Sequence, residues 1–258
     1  MINEEKLTGY IQEKIVEFHD ARIAKIRDLK LDDVLKRKNP YLFKAKNIET
    51  AGELMSSILD AYLSSQEETL FGTFMESLAK YVCEQSKNGF KSSASGMDLE
   101  FAENGIRYII SVKSGPNWGN SGQISDMRKN FKNAKIRFHT QNPHEEIVCV
   151  NGCCYGKDSK PFKGDYYKFC GEEFWAFISG EQDFYLKIIA PLDRGVRAKN
   201  DYFKEEFAKL NNKFTREFTE KYCAEDGSIL WNKLLEFVSK KPAPKSSVEK
   251  KSKQKKKS

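Results

Sequence analysis

A chain of 258 residues can bury a sizeable core, as one large domain or one domain with a helical extension. No apolar run approaches the roughly 20 residues of a membrane span, and the opening MINEEKLTGY is too polar for a secretory signal; both argue for a cytoplasmic protein without membrane partners. The net charge of +7 is concentrated at one end: nine of the 44 basic and one of the 37 acidic residues lie in 240–258, which leaves 35 against 36 in 1–239. The body is therefore near neutral, and the Lys-rich tail 240–258 reads as a disordered segment that adds solubility or salt-sensitive attraction for nucleic acid.

Apolar residues recur at helical spacing from Leu7 to Ile26, within a charged segment that predicts one or two helices over 3–38. Asn39-Pro40 reads as the break. A second helix is expected over 50–63, with Thr50 as N-cap, and a third over 65–85, where Phe71, Phe74, Leu78, Ala79 and Val82 form a stripe. Glu76 belongs to that third helix, and Phe71-Gly72 ahead of it would let the helix approach a sheet. A Gly/Ser loop (88–96) then leads into a hairpin.

The hairpin is the most informative stretch, GMDLEFAENGIRYIISVKSG (96–115). Asn104-Gly105 is a strong two-residue turn signal, and it sets Glu103 opposite Ile106 and Asp98 opposite Ser111. Alternation places Met97, Leu99, Phe101, Ile106, Tyr108, Ile110 and Val112 on one face. Asp98, Glu100, Arg107, Ser111 and Lys113 share the other with Ala102 and Ile109. Opposed side chains lie roughly 5 Å apart and diagonal ones roughly 7–8 Å, so Asp98, Ser111 and Lys113 can meet at one point. A hard cation held by carboxylate oxygens beside a lysine is what phosphodiester hydrolysis requires. Asp98 would hold Mg²⁺, and Lys113 would orient the attacking water and stabilise charge on the phosphate. An amphipathic hairpin whose polar face meets solvent is the alternative.

After Lys113, SGPNWGNSGQ is a loop suited to lie against a phosphate backbone through its amides. A helix is expected over 123–135, with Arg128, Lys129, Lys132 and Lys135 on or near one face. Strands are expected over 146–155 and 184–190, with a short helix over 172–178 between them. Arg194 to Lys199 form a basic loop, and two helices (200–223 and 228–239) precede the tail. The sum is an α/β or α+β domain with a mixed central sheet, flanking helices and helical additions at both ends. Residues 1–239 read as one domain: an N-terminal extension (1–38), a catalytic core (about 65–192) and C-terminal helices (200–239).

The six cysteines, Cys83, Cys149, Cys153, Cys154, Cys170 and Cys223, contain no C-x₂-C pair, which suits zinc poorly and buried free thiols well. His19, His139 and His144 have no triad context, so hydrolysis through a histidine base is not indicated.

The order Glu76, Asp98, Lys113 and a following helix resembles the PD-(D/E)xK nuclease superfamily, with its restriction-endonuclease-like fold. NPYLFKAKN (39–47), EETLFGTFMESLA (67–79), GMDLEF (96–101), SVKSGPNWGNS (111–121), VNGCCYG (150–156) and CGEEFWAFISG (170–180) resemble type II restriction endonucleases of the PmeII-like group. The resemblance implies a homodimer that cuts double-stranded DNA at a short palindromic site in a Mg²⁺-dependent step, leaving 5′-phosphate and 3′-hydroxyl ends. A cognate DNA methyltransferase would protect the host. The loop after Lys113, the basic face of the helix that follows and the basic loop near 194–199 supply the candidate DNA contacts: Asn117, Trp118, Asn120, Ser121, Arg128, Lys129, Arg194 and Arg197.

One departure stands out: the family pattern has Asp or Glu two residues before the Lys, and this chain has Ser111. The missing acid is then expected from Glu76 first, Asp126 second or Glu100 third, with the Ser111 hydroxyl left to hold a water at the metal. A structure-selective repair nuclease of the same fold, or a DNA-binding protein that Ser111 has made inactive, are the competing functions.

Overall fold

A computed structural model describes residues 2–241. The expected disorder of the tail falls, from Pro242 onward, outside the described residues. The chain opens with α1 (Glu4–Arg27), which buries Leu7, Ile11, Ile15, Ile23 and Ile26 at the spacing visible in the sequence. Two short helices follow, α2 (Leu31–Lys36) and α3 (Pro40–Ala45). Asn39-Pro40 starts α3 as well as interrupting the chain: the Asn39 side chain accepts the Tyr41 N–H at 3.0 Å, and proline is suited to the first helical position, where an N–H would lack a partner.

The two helices expected over 50–63 and 65–85 are one, α4, running from Ala51 to Lys87. Past the expected break, side-chain hydroxyls are satisfied inside the helix. Thr69, Thr73 and Ser77 each donate to the carbonyl four residues earlier.

The hairpin is β1 (Leu99–Glu103) and β2 (Ile106–Lys113), paired from Glu103↔Ile106 to Leu99↔Ile110 as the turn predicts. Asn104 (φ 53°) and Gly105 (φ 80°) supply the two left-handed residues of that turn. After α5 (Ser121–Gln141), β3 (Glu146–Cys153) returns parallel to β2, and β4 (Tyr167–Cys170) lies parallel to β3. The sheet order is β1-β2-β3-β4. Helices α6 (Glu172–Ser179), α7 (Phe184–Lys187), α8 (Ile189–Leu192), α9 (Arg197–Tyr222) and α10 (Trp231–Ser239) complete the described chain. The strand expected over 184–190 is therefore helical. Phe184 and Ile188 are buried four residues apart while Leu186 and Ile189 are exposed, which is a helical pattern.

Helices cover both faces of the sheet. Leu99, Phe101, Ile110, Val112 and Val150 pack with Phe74, Leu78 and Val82 of α4 and with Phe174, Trp175 and Ile178 of α6. Ile109, Ile147 and Cys149 pack with Met127, Phe131, Ala134 and Phe138 of α5, and Met97 joins this side rather than that of Leu99. The approach of α6 is close: a Cβ on Gly152 would lie 2.1 Å from the Phe174 ring. The result is the mixed α/β architecture expected from the sequence. The face carrying Asp98 and Lys113 does not simply meet solvent, for Glu100 and Ser111 are 2% and 1% exposed.

The described residues form two compact units. One holds the residues up to Arg27 with Ser64–Glu206, and therefore the whole sheet and the expected core 65–192; the other holds Asp28–Leu63 with the residues from Phe207 on. In the second unit Leu31, Val34, Leu54, Leu59, Phe214 and Phe218 are buried. Among the described residues no helix is long and apolar enough to cross a membrane. The cysteines are free and, Cys223 apart, buried. Burial pushes the thiols of Cys149 and Cys154 up to about 11 and about 12, which makes them poor nucleophiles.

His19 in α1 is a buried titratable group with a clear consequence for stability. Burial lowers its pKa from the ordinary 6.5, and the cations of Arg22 and Lys199 add to this, outweighing Asp20 and Glu67. Arg22 Nη1 donates to His19 Nδ1 at 3.1 Å, which needs that nitrogen unprotonated. A histidine whose pKa is lowered by folding binds fewer protons in the native than in the unfolded chain. Its effect on stability is thus absent above pH 6.5 and becomes destabilising as pH falls through 6.5. The melting temperature should drop between pH 7 and pH 5, and His19→Gln should flatten that drop; an equally steep acid limb in the variant would assign it to other groups.

Candidate active site

The site forms where β1 begins and β2 ends. Asp98 stands one residue ahead of β1, beside the last register pair, Leu99↔Ile110. Its N–H donates to the Ile110 carbonyl at 2.9 Å, and its carboxylate Oδ2 accepts the Val112 N–H at 2.7 Å. Backbone bonds on both sides of the residue fix the side chain before any ligand arrives. Burial raises the Asp98 pKa; the Val112 N–H opposes this, Glu76 raises it further, and Lys113 and Lys80 lower it. A half-buried carboxylate whose pKa a second carboxylate also raises is stabilised in its charged form by added positive charge.

Glu76 comes from α4, which runs close to the end of β2: a Cβ on Gly72, one turn before Glu76, would lie 3.8 Å from Ser114 Cβ. Its Oε1 pairs with Lys80 on the next turn. Lys113 ends β2, and its Nζ sits 5.1 Å from the centroid of the Trp118 ring. Among the described residues no three His, Cys, Asp or Glu side chains form a metal-binding group. Asp98 and Glu76 are the acids that could hold Mg²⁺ here, and that ion commonly takes only one or two protein carboxylates.

The profile of the type II restriction endonuclease EcoO109I family matches residues 5–201, well over half of the chain. The chain belongs to this family. It is thus a site-specific deoxyribonuclease, and double-stranded DNA is the substrate that membership implies. No curated protein matches the chain.

The other residues singled out in this restriction endonuclease are distributed unevenly about the site. Glu100 is buried with partners of its own: Ser92 Oγ donates to its Oε2 at 3.5 Å and Arg107 Nη1 lies 3.9 Å away. Asp126 is exposed on α5, one turn past its start. Ser111 is buried, and its carbonyl accepts the Asn151 Nδ2 at 3.2 Å. Asn120 caps α5, its Oδ1 accepting the Gln123 N–H while Gln123 Oε1 accepts the Asn120 N–H, both at 3.0 Å. Ser121 begins that helix, and Asn117 is exposed just before it. Arg128 is held in a fork by Asp165, with contacts of 2.7–3.0 Å, so its guanidinium already has an acidic partner. Lys129, Arg194 and Arg197 are exposed.

Two residues near the site escaped the sequence reading. Asn151, 1% exposed on β3, accepts the Trp118 Nε1–H on its Oδ1 at 3.0 Å. Lys168 of β4 donates to the Pro116 carbonyl at 2.9 Å and pairs with Asp158. An asparagine inside the apolar run IVCVNGCC was the visible signal for the first, since a polar side chain in a buried strand must find a partner. Lys168 carried no such signal, because lysines on exposed strands are ordinary.

Proposed function

We propose that this enzyme hydrolyses both strands of a short palindromic DNA site with Mg²⁺ held by Asp98 and Glu76, leaving 5′-phosphate and 3′-hydroxyl ends. The observation that carries this is the Asp98 carboxylate fixed by the Val112 N–H at the open end of the hairpin, where Lys113 ends β2 and the helix that carries Glu76 runs close to the strand. A buried carboxylate whose proton affinity a second carboxylate raises further fits a divalent cation, which would relieve the repulsion. When bound, the ion supplies a hard Lewis acid at the scissile phosphate. Asp98, fixed by the Val112 N–H, sets the position of the ion. Lys113 orients the attacking water and carries positive charge toward the phosphate oxygens as negative charge builds there. Ser111 cannot replace a carboxylate, and Glu76 on α4 takes over that duty. Asn117, Asn120, Ser121, Lys129, Arg194 and Arg197 remain candidates for DNA contact, and Arg128 would first have to leave Asp165.

Membership of a PmeII-like group, a homodimer with one half-site per subunit and a protecting DNA methyltransferase complete the proposal. The test is incubation of the purified protein with unmethylated plasmid and phage DNA, with Mg²⁺ or with EDTA, followed by end sequencing. Discrete Mg²⁺-dependent fragments that share a palindrome at their ends are expected. Fragments without a common end sequence would count against site-specific cleavage and favour a structure-selective nuclease.

A further inference from the structure

We infer that Asn151, acting through Trp118, is a positioning residue that holds the Lys113 ammonium at the reacting phosphate; this rests on Lys113 acting in cleavage. Three contacts in series make the link. The Asn151 Nδ2 donates to the Ser111 carbonyl on the neighbouring strand at 3.2 Å, which fixes the carboxamide. Its Oδ1 then accepts the Trp118 Nε1–H at 3.0 Å and the Cys153 thiol at 3.9 Å. The indole so held turns its ring to Lys113, whose Nζ lies 5.1 Å from the ring centroid, within range of a cation–π contact.

The geometry restricts a side chain that is otherwise free to wander. A lysine carries four rotatable bonds, and its ammonium can point in many directions from the end of a strand. The ring closes off one side of that space, and the rest of the loop is pinned so that the ring stays put. Lys168 holds the Pro116 carbonyl at 2.9 Å, and Gly115 packs so tightly that a Cβ there would lie 2.3 Å from the Tyr155 ring. Asn151 and Ser111 are register partners on parallel strands, so the same ladder that aligns β2 with β3 aligns the clamp with the lysine two residues on. Trp118 stands among the expected DNA contacts, but its one polar hydrogen is bound internally and its ring faces Lys113.

The test is a double-mutant cycle on single-turnover cleavage at saturating DNA, with DNA affinity measured separately in EDTA on a short duplex carrying the cleaved site. Trp118→Leu removes ring and donor together and is expected to slow cleavage about 10- to 100-fold, as small misplacements of reacting groups do, with the dissociation constant within about twofold of wild type. Trp118→Phe, which keeps a ring face, should lose less. Asn151→Ala should slow cleavage in the wild-type background but add little on top of Trp118→Phe, because the indole donor it serves is gone. Additive losses in the cycle, unchanged cleavage by Trp118→Leu, or a loss confined to DNA affinity would each overturn the inference. Should Asn151→Ala fail to fold, the two Trp118 variants, altered in a half-buried loop, still decide it through the split between rate and affinity. Lys113→Ala runs alongside: if it cleaves normally, the assignment of Lys113 itself fails, and an inactive Lys113→Ala beside normal Trp118 variants rejects the clamp alone.

Discussion

Asp98→Asn is expected to abolish cleavage, by a factor of about a thousand or more, while raising the melting temperature of the metal-free protein. A thousandfold loss corresponds to about 4 kcal/mol of transition-state stabilisation, within what a bound metal ion supplies. The stability effect follows from the sign of the Asp98 shift. Burial, with Glu76 adding to it, raises the carboxyl above its ordinary 3.8. The native state then holds the proton more tightly than the unfolded chain, so stability falls as pH rises above 3.8, and at neutral pH the ionised group is a net cost. Asparagine removes the charge, and its Oδ1 can still accept the Val112 N–H that Oδ2 accepts now at 2.7 Å. Mg²⁺ should reverse the order: at ten times its Kd it adds about 1.4 kcal/mol to the wild-type protein and nothing to a variant without the site. Thermal melts in EDTA and across a Mg²⁺ series measure both effects. A variant that Mg²⁺ stabilises equally would remove Asp98 as the cation ligand, and one that melts below wild type in EDTA would overturn the cost assigned to its buried charge.

The hairpin was legible because its information is local. Asn104-Gly105 admits one tight turn, and once the turn is placed the register follows down to the pairing of Leu99 with Ile110, alternation failing only ahead of β1, where Met97 packs on the opposite side from Leu99. The run FYLKIIA (184–190) shows the opposite case. Short apolar runs fit a buried strand or a buried helix equally, and only packing decides; here Phe184 and Ile188 turn to the core one helical turn apart. The strand β4 was missed for a related reason. Tyr167-Lys168-Phe169-Cys170 is four residues long, and it is a strand because β3 offers a free edge beside it.

For the candidate site, what proximity in sequence could reveal stopped at Asp98 and Lys113, which share one hairpin. Asn151 lies 40 residues beyond Ser111, and the bond between them exists only because β3 returns parallel to β2 in a register that no local pattern encodes. The same limit left Glu100 a candidate at the level of sequence: alternation puts it on the face of Asp98, one pleat away, yet its carboxylate pairs with Ser92 and Arg107 instead.

Those partners bear on which acid replaces the one absent at Ser111, where the second large effect is expected. Glu76→Gln should reduce cleavage about 100- to 1,000-fold and weaken the Mg²⁺ stabilisation, while Asp126→Asn should stay within about threefold of wild type. The charges of Glu76, Lys113 and Lys80 are the ones that act most on Asp98, whereas Asp126 is exposed on α5. Restoring the acid directly would be difficult. Ser111 is 1% exposed, and a carboxylate there would be desolvated beside Asp98, so Ser111→Glu should fold less stably unless Mg²⁺ is present. Glu76 stays half-exposed on a helix, paired with Lys80, so a carboxylate there is spared that desolvation. Cleavage rates of the two single variants under Mg²⁺ titration decide the matter. An inactive Asp126→Asn beside an active Glu76→Gln would move the second ligand onto α5, the position that some nucleases of this fold use when a serine precedes the lysine.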